Sequence, residues 1–298
     1  KNYKSVRDST AELKSLNIVI GPNGAGKSAL VKAISLMARA ALSPSRVVPI
    51  PPGLITHGEN ALEIEALMSD GSRITASAEM GEPTCLRVEG RPTPAAIKAM
   101  SRWKTYDLSS IGSDSQAHPR ASAYLNANGS NLSAFLKYLA MTEPRIFEIV
   151  KMQFSFYSSD EGADRPGWTE SMSAGSLKML ALLALLEKTS RQNAAGILAI
   201  EHPDALLSER FQHTLAAYLK SVSTENQVIV TTHSSYMVDQ FEPADLLIVE
   251  KPKPHNPHQS RTTMYRRLTN KQISDLNIWL EDYSLGELWL KNEIGARS

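Results

Sequence analysis

Residues 16–28 read Leu-Asn-Ile-Val-Ile-Gly-Pro-Asn-Gly-Ala-Gly-Lys-Ser. A short apolar strand runs straight into a G-x-x-x-x-G-K-S loop. Gly21, Gly24 and Gly26 let the backbone take conformations closed to other residues and bring its N–H groups close to an anion. In a loop of this pattern the lysine, Lys27, reaches the β- and γ-phosphates of ATP or GTP, and the Ser28 hydroxyl binds Mg²⁺. The loop then opens a helix whose positive N-terminal end faces the same anion. Leu30, Ile34, Met37 and Ala41 give that helix one apolar face. Strand before and helix after separate this motif from a glycine-rich turn that matches by accident.

The rest of the chain sets bounds. Its 298 residues suffice for one large domain or two modest ones. A formal charge of +1 gives bulk electrostatics no reason to expect a polyanion partner, so nucleic acid is possible but not indicated. Arg261, Arg266 and Arg267 cluster locally, and a solvated strand edge accounts for them. A single cysteine, Cys85, excludes a disulfide framework and fits a reducing, cytoplasmic setting. No signal peptide or membrane span is expected; the most apolar run, Leu177–Leu186, carries Lys178 and falls far short of the roughly twenty residues a bilayer needs. The chain starts at Lys1 without a Met, so residues before it are expected to be missing.

Two kinds of pattern follow the loop. Ser43 to Gly53 holds four prolines and reads as a loop. Ala61–Met68, Arg73–Met80 and Leu86–Val88 alternate between turns and predict an antiparallel meander. Residues 94–102 read as helix, Thr105–Ser109 as a strand, 110–130 as polar loop, and Asn131–Gln153 as one helix. Beyond that the chain alternates: helix at Gly175–Glu187, buried strand at Gly196–Ile200, amphipathic helix at Glu209–Val222, then strands at Gln227–Val230 and Asp245–Val249 around a short helix, Tyr236–Gln240. Such alternation predicts a mostly parallel sheet with helices on its faces. No heptad persists long enough for a coiled coil.

Three further motifs carry chemistry. Ile197-Leu198-Ala199-Ile200-Glu201-His202-Pro203-Asp204 ends an apolar strand in an acid, placing a carboxylate beside the phosphate loop to hold Mg²⁺ through its water shell. A merely solvated terminal acid is the plainer reading, and the loop in the same chain tells against it. Met172-Ser173-Ala174-Gly175-Ser176 opens the apolar helix and is either an anion site or an ordinary N-cap. Ile229-Val230-Thr231-Thr232-His233-Ser234 sets a histidine past a buried strand at the same sheet edge, where a satisfied loop histidine is the plain alternative. His255 and His258, in a Pro-rich loop, receive no role.

Taken together these residues resemble the ABC-type ATPases, specifically the RecF/SMC-like "AAA family" ATPases of bacteria. Lys4-Ser5-Val6-Arg7-Asp8 is similar to that family's "FKSIRD" opening, Asn128-Gly129-Ser130-Asn131-Leu132 to its "DGSNL", Met172–Ser176 to its signature "LSDGT", Thr231–Ser234 to its "ATHSP", and Trp279–Ile294 to its C-terminal tail. The resemblance implies an α/β P-loop NTPase fold, a single ABC-type ATPase head with an antiparallel β-lobe and a helical lobe. Residues 1–45 and 170–298 would form the nucleotide-binding core, 55–92 the β-lobe and 94–153 the helical lobe. It implies ATP and Mg²⁺ as cofactors. ATP would lie on Asn23, Gly24, Ala25, Gly26, Lys27, Ser28 and Ala29 of one subunit, and on Ser173 and Gly175 of another in a homodimer. Ser28 and Glu201 would serve the metal, and His233 would contact the γ-phosphate.

One departure bears on catalysis. The family usually sets two acids before the proline, one for the metal and one as general base; here the pair is Glu201-His202. His202 therefore stands at the base position, where losing a positioned base costs about 10²–10⁴-fold in rate. Hydrolysis is expected to be slow or absent. The stretch Phe154–Ser171 is also shorter than the family's, and residues are expected to be missing there. The resemblance further implies a separate effector protein, a nuclease or toxin, in a bacterial anti-phage setting. A nucleotide-dependent scaffold and a RecF-like DNA-end-binding protein are the alternatives.

Overall fold

The computed structural model describes residues 1–81, 84–90, 92–111, 122–158, 172–191, 196–252 and 262–295. Among them the phosphate loop follows β1 (Leu16–Ile20), whose five residues are all buried. β1 lies inside a six-stranded sheet with β6 (Lys104–Asp107), β7 (Ile197–Glu201), β8 (Gln227–Thr231), β9 (Leu246–Glu250) and β10 (Met264–Arg266), in the order β10-β9-β1-β8-β7-β6. All pairings are parallel except the β9–β10 edge. The carboxyl ends of β1, β6, β7 and β8 therefore open on one edge, where ligands bind in such sheets.

Alternation along these strands sorts the core into two faces. Ile18, Ile20, Leu198, Ile200, Val228 and Val230 point to a large apolar cluster. It is built with α3 (Leu132–Thr142), α4 (Pro144–Tyr157), α5 (Ala174–Ser190), α6 (Glu209–Val222), α7 (Ser235–Val238), α8 (Asn270–Trp279) and α9 (Leu285–Leu290). Val19, Ala199, Ile229 and Leu247 point the other way, against Leu30 and Val31 of α1 (Lys27–Leu42). The far side of α1, through Leu36, Met37 and Ala40, packs with α2 (Pro94–Ser101) and a second, antiparallel sheet. That sheet has the order β2-β5-β4-β3: β2 (Val47–Pro49), β3 (Ala61–Leu67), β4 (Arg73–Glu79) and β5 (Cys85–Gly90). The helix that begins at the phosphate loop is thus clamped between two sheets.

Three sequence expectations need correction. The proline-rich 43–53 segment contains a strand, β2, which pairs Val48 with Leu86 at the sheet edge; Pro49 is tolerated there because on an edge strand its nitrogen can face away from the partner strand, where no ladder bond is made. The single helix expected over 131–153 is two. Pro144 excludes the helical conformation at Glu143 (φ −134°, ψ 55°) and starts a new helix itself. Strand β10 and helices α8 and α9 add to the elements the periodicity gave. Arg266 and Arg267 leave the β10 edge by turning inward: Arg266 pairs with Glu250 at 2.9 Å, and Arg267 donates to the carbonyls of Glu12, Asp245 and Leu246. Arg261, His255 and His258 lie outside the described residues.

The tail buttresses the site. Leu285, Leu288 and Trp289 of α9 are buried, and the Gly286 N–H donates to Asp239 at 2.5 Å. A Cβ on Gly286 would stand 2.3 Å from the Ser235 carbonyl oxygen. The missing side chain lets α9 lie directly on α7, the helix that follows His233.

Candidate nucleotide site

The loop begins where β1 ends. Gly21 (φ +151°) passes so close to β9 that a Cβ would lie 2.1 Å from the Val249 carbonyl oxygen. Gly24 (φ +71°) faces open space, and Gly26 (φ +121°) rests on Thr263. The buried Thr263 hydroxyl donates to the Ala25 carbonyl at 2.7 Å and shares a hydrogen with the Ser5 hydroxyl at 2.7 Å; the Tyr265 hydroxyl donates to the Gly26 carbonyl at 3.0 Å. The chain's opening residues and β10 therefore fix the loop from behind. No local pattern in the sequence could have assigned Thr263 or Tyr265 this task, since each acts on residues more than two hundred positions away.

Lys27 folds back over the loop and donates to the carbonyls of Gly21 at 2.8 Å and Pro22 at 3.1 Å. Burial lowers its pKa to about 8. Asn23 and Gly24 are exposed at the mouth, while Ala25 and Ala29 are buried below it. Ser28, one residue on, donates from its hydroxyl to the Glu201 carboxylate at the end of β7. Glu201 is itself buried. A hydroxyl and a carboxylate held together at a phosphate loop are the hard oxygen donors Mg²⁺ prefers.

Beside them the His202 and His233 rings stack, centroids 4.9 Å apart and planes 6° from parallel. His202 adopts a left-handed backbone (φ 47°), and its N–H is held by the Thr231 carbonyl at 3.0 Å and hydroxyl at 3.1 Å. His233 has its pKa lowered to about 4, first by burial, then by Lys27 and His202. Desolvation first, and the Lys27 ammonium second, therefore keep the ring neutral at pH 7. Asp107, paired in register with Glu201 across β6 and β7, brings another carboxylate to the edge. Sequence reading missed it because it lies at the end of a four-residue strand with no motif around it.

Ser173 and Gly175 stand apart. Ser173 is exposed and caps α5, its Oγ accepting from the Ser176 N–H at 3.1 Å. Gly175 sits against the loop after β7, where a Cβ would lie 2.7 Å from the Leu206 carbonyl oxygen. Among the described residues no hydrogen bond joins Ser173 to the phosphate loop of the same chain. Asn131 and Gly129 serve structure. Asn131 is buried, accepting from the Asn126 N–H at 2.7 Å and donating to the Tyr124 carbonyl at 2.9 Å. Gly129 (φ +73°) has Ile111 at 2.7 Å from where its Cβ would be.

This fold and this edge define a P-loop ATPase domain. The chain belongs to the AAA ATPase domain family, whose profile matches residues 1–74 and 100–238. Its fold is that of SMC heads. It aligns with an SMC head crystallised with the C-terminal winged-helix domain of ScpA (TM-score 0.61, 15% identity, 92% of this chain and 97% of that one). It aligns also with an SMC head domain from Thermotoga maritima (0.52, 14%, 90% and 97%). A third match is the Pyrococcus furiosus SMC head with an extended coiled coil, bound to the C-terminal domain of ScpA (0.57, 13%, 95% and 98%). No curated protein matches the sequence. Among the described residues no helix is long and apolar enough to cross a membrane.

Proposed function

We propose that this ATPase is an ATP-operated switch in which two copies close head to tail on two ATP molecules and thereby regulate or hold a separate effector protein. The hydrogen bond from Ser28 to Glu201, beside the stacked His202 and His233, carries the reading. It brings the two metal-side oxygens together at the phosphate loop, with two imidazoles beside them at the same sheet edge. Asn23 to Ala29 would hold the phosphates, and Ser28 with Glu201 the Mg²⁺. Ser173, exposed at the start of α5 with its hydroxyl bonded among the described residues only to Ser176, would with Gly175 serve a partner's ATP. A helix N-terminus favours the extra anion of ATP over ADP, and the neutral His233 ring would offer that anion an N–H donor. A cytoplasmic, anti-phage setting with a nuclease or toxin as effector rests on the resemblance.

His202 favours a second form of this reading, a scaffold that closes on ATP and turns over slowly or not at all. A phosphate-release assay on the wild type and on His202→Glu separates the two. The scaffold predicts an idle wild type and a variant that gains turnover. The hydrolysing switch predicts a wild type that turns over in its own right. Sedimentation with a non-hydrolysable ATP analogue tests what both share: a chain that stays monomeric and binds no nucleotide refutes the proposal.

A further inference from the structure

Helix α5 is buried from Leu177 to Leu186 and apolar there at every position but Lys178, whose side chain has no exposure at all. A wholly buried ammonium persists only where it is paired. Its Nζ donates to the backbone carbonyl of His202 at 2.6 Å. Burial lowers the pKa of Lys178, opposed by the charges of Asp204 and Asp107. Asp204 is itself buried, and its Oδ1 has no hydrogen-bond partner among the described residues.

Lys178 lies five residues after Ser173, on the same helix whose first turn rests, through Gly175, on the carbonyl of Leu206. The segment 202–206 is thus gripped twice by α5. It also holds two of the chain's left-handed non-glycine residues, His202 (φ 47°) and Leu206 (φ 69°). A strained backbone stays put only where its surroundings hold it. A leucine or methionine at 178 would fill the core without a charge to compensate, so core packing alone gives no reason for the lysine.

We infer that Lys178 is a positioning residue that sets the backbone of His202 and ties it to the start of α5, so that nucleotide engaged in trans at Ser173 and Gly175 is felt at His202. This deepens the proposed function and rests on it for the trans contact, though the link from Lys178 to His202 exists within one chain. The rod is direct: a partner's triphosphate displaces the first turn of α5, and Lys178 carries the displacement to the residue beside the metal-side acid.

The test has two arms. In protein labelled with ¹³C at histidine Cε1, the His202 resonance is assigned by its loss in His202→Gln and compared in Lys178→Met and the wild type without nucleotide. The inference requires it to move in Lys178→Met while the histidines remote from the site stay unchanged; an unmoved resonance overturns it. In the second arm turnover is measured in the wild-type and His202→Glu backgrounds, since the lysine grips the backbone of residue 202 whatever its side chain. In whichever turns over, Lys178→Met is expected to lower kcat about 10²-fold with KM and ATP affinity within about twofold, as a misplaced group does. A loss confined to KM, or none, refutes it. Lys178→Arg is run beside it because removing a buried charge endangers the fold. It keeps a donor and must retain the His202 signal and at least about a tenth of kcat; a folded Lys178→Arg that loses both overturns the inference. If the wild type binds no ATP, the proposed function falls, and the resonance arm still decides the link to His202.

Discussion

Gly21 and Gly24 stand three residues apart in one loop, and the structure gives them different reasons to be glycine. At Gly21 an alanine Cβ would lie 2.1 Å from a backbone oxygen, that of Val249, where contacts under 3.0 Å essentially do not occur. Either β1 or β9 must yield by roughly 0.9 Å, and neither is a flexible side chain. Overpacking of this kind costs about 1–3 kcal/mol, and a non-glycine residue held in a sparsely populated conformation about 1–3 kcal/mol more. Gly21→Ala should therefore lose ~2–6 kcal/mol, much of the 5–15 kcal/mol typical of a native domain. At Gly24 nothing lies within 4 Å of where an alanine methyl would sit, so Gly24→Ala bears only the left-handed penalty of about 1–2 kcal/mol. It should fold, and its methyl, at the open mouth of the loop, should weaken ATP binding. Urea unfolding followed by circular dichroism and tryptophan fluorescence gives the two stabilities, and equilibrium dialysis with labelled ATP gives the binding. If Gly21→Ala is no less stable than Gly24→Ala, the close approach of loop and β9 is wrong. If Gly24→Ala binds ATP as the wild type does, the mouth of the loop is not where phosphate enters.

Thr263→Val keeps the shape of a buried side chain but strips the Ala25 carbonyl of its donor, and leaving such a group unsatisfied costs about 1–3 kcal/mol. Thermal unfolding should show this loss, with ATP binding weakened further because the loop is freed; an unchanged Tm and affinity would contradict the clamp. His233 gives a pH signature. Its folded pKa, about 4, lies below the ordinary 6.5, so below pH 6.5 the unfolded chain binds the proton first and stability falls as pH drops toward 4. Because the ring is partly exposed, the effect is well short of the full linkage value. Denaturation midpoints at pH 7 and pH 5 should converge for His233→Gln relative to the wild type; parallel profiles would mean the ring is not perturbed.

Much of the fold was legible because its signals were local. β1, α1 and the meander strands follow from apolar runs, alternation and glycine turns, and the phosphate loop from spacing alone. What escaped the sequence depends on distant partners. β10 has three residues and exists only because β9 offers an edge; β2 forms against β5 despite Pro49. The break at Pro144 was present as a residue but outweighed by the apolar period running through it. At the site, Glu201, His202 and His233 stand out in the sequence because each ends or closely follows an apolar strand. Lys178 looked like a flaw in an apolar helix, and Asp107 and Thr263 carried no mark, since their meaning lies in which strands stand beside theirs.

The identity of residue 202 decides what kind of ATPase the edge can support. A second acid there would place negative charge near the γ-phosphate, opposing its binding in the ground state while providing a base for the attacking water. An imidazole reverses that balance. On the proposed function the site would meet incoming phosphate with Lys27, the α1 N-terminus and two stacked rings, with Glu201, engaged with Ser28, as the metal-side acid and Asp107 beside it in register. Interactions made equally with bound ATP and with the transition state tighten binding without raising kcat. On the proposed function, an edge of this composition would favour holding ATP over cleaving it. The backbone at 202 is nonetheless held in a left-handed conformation by Thr231 on one side and Lys178 on the other. On the scaffold form of the proposed function this backbone would already suit a general base, so a single substitution, His202→Glu, is expected to raise turnover without wider rebuilding of the site.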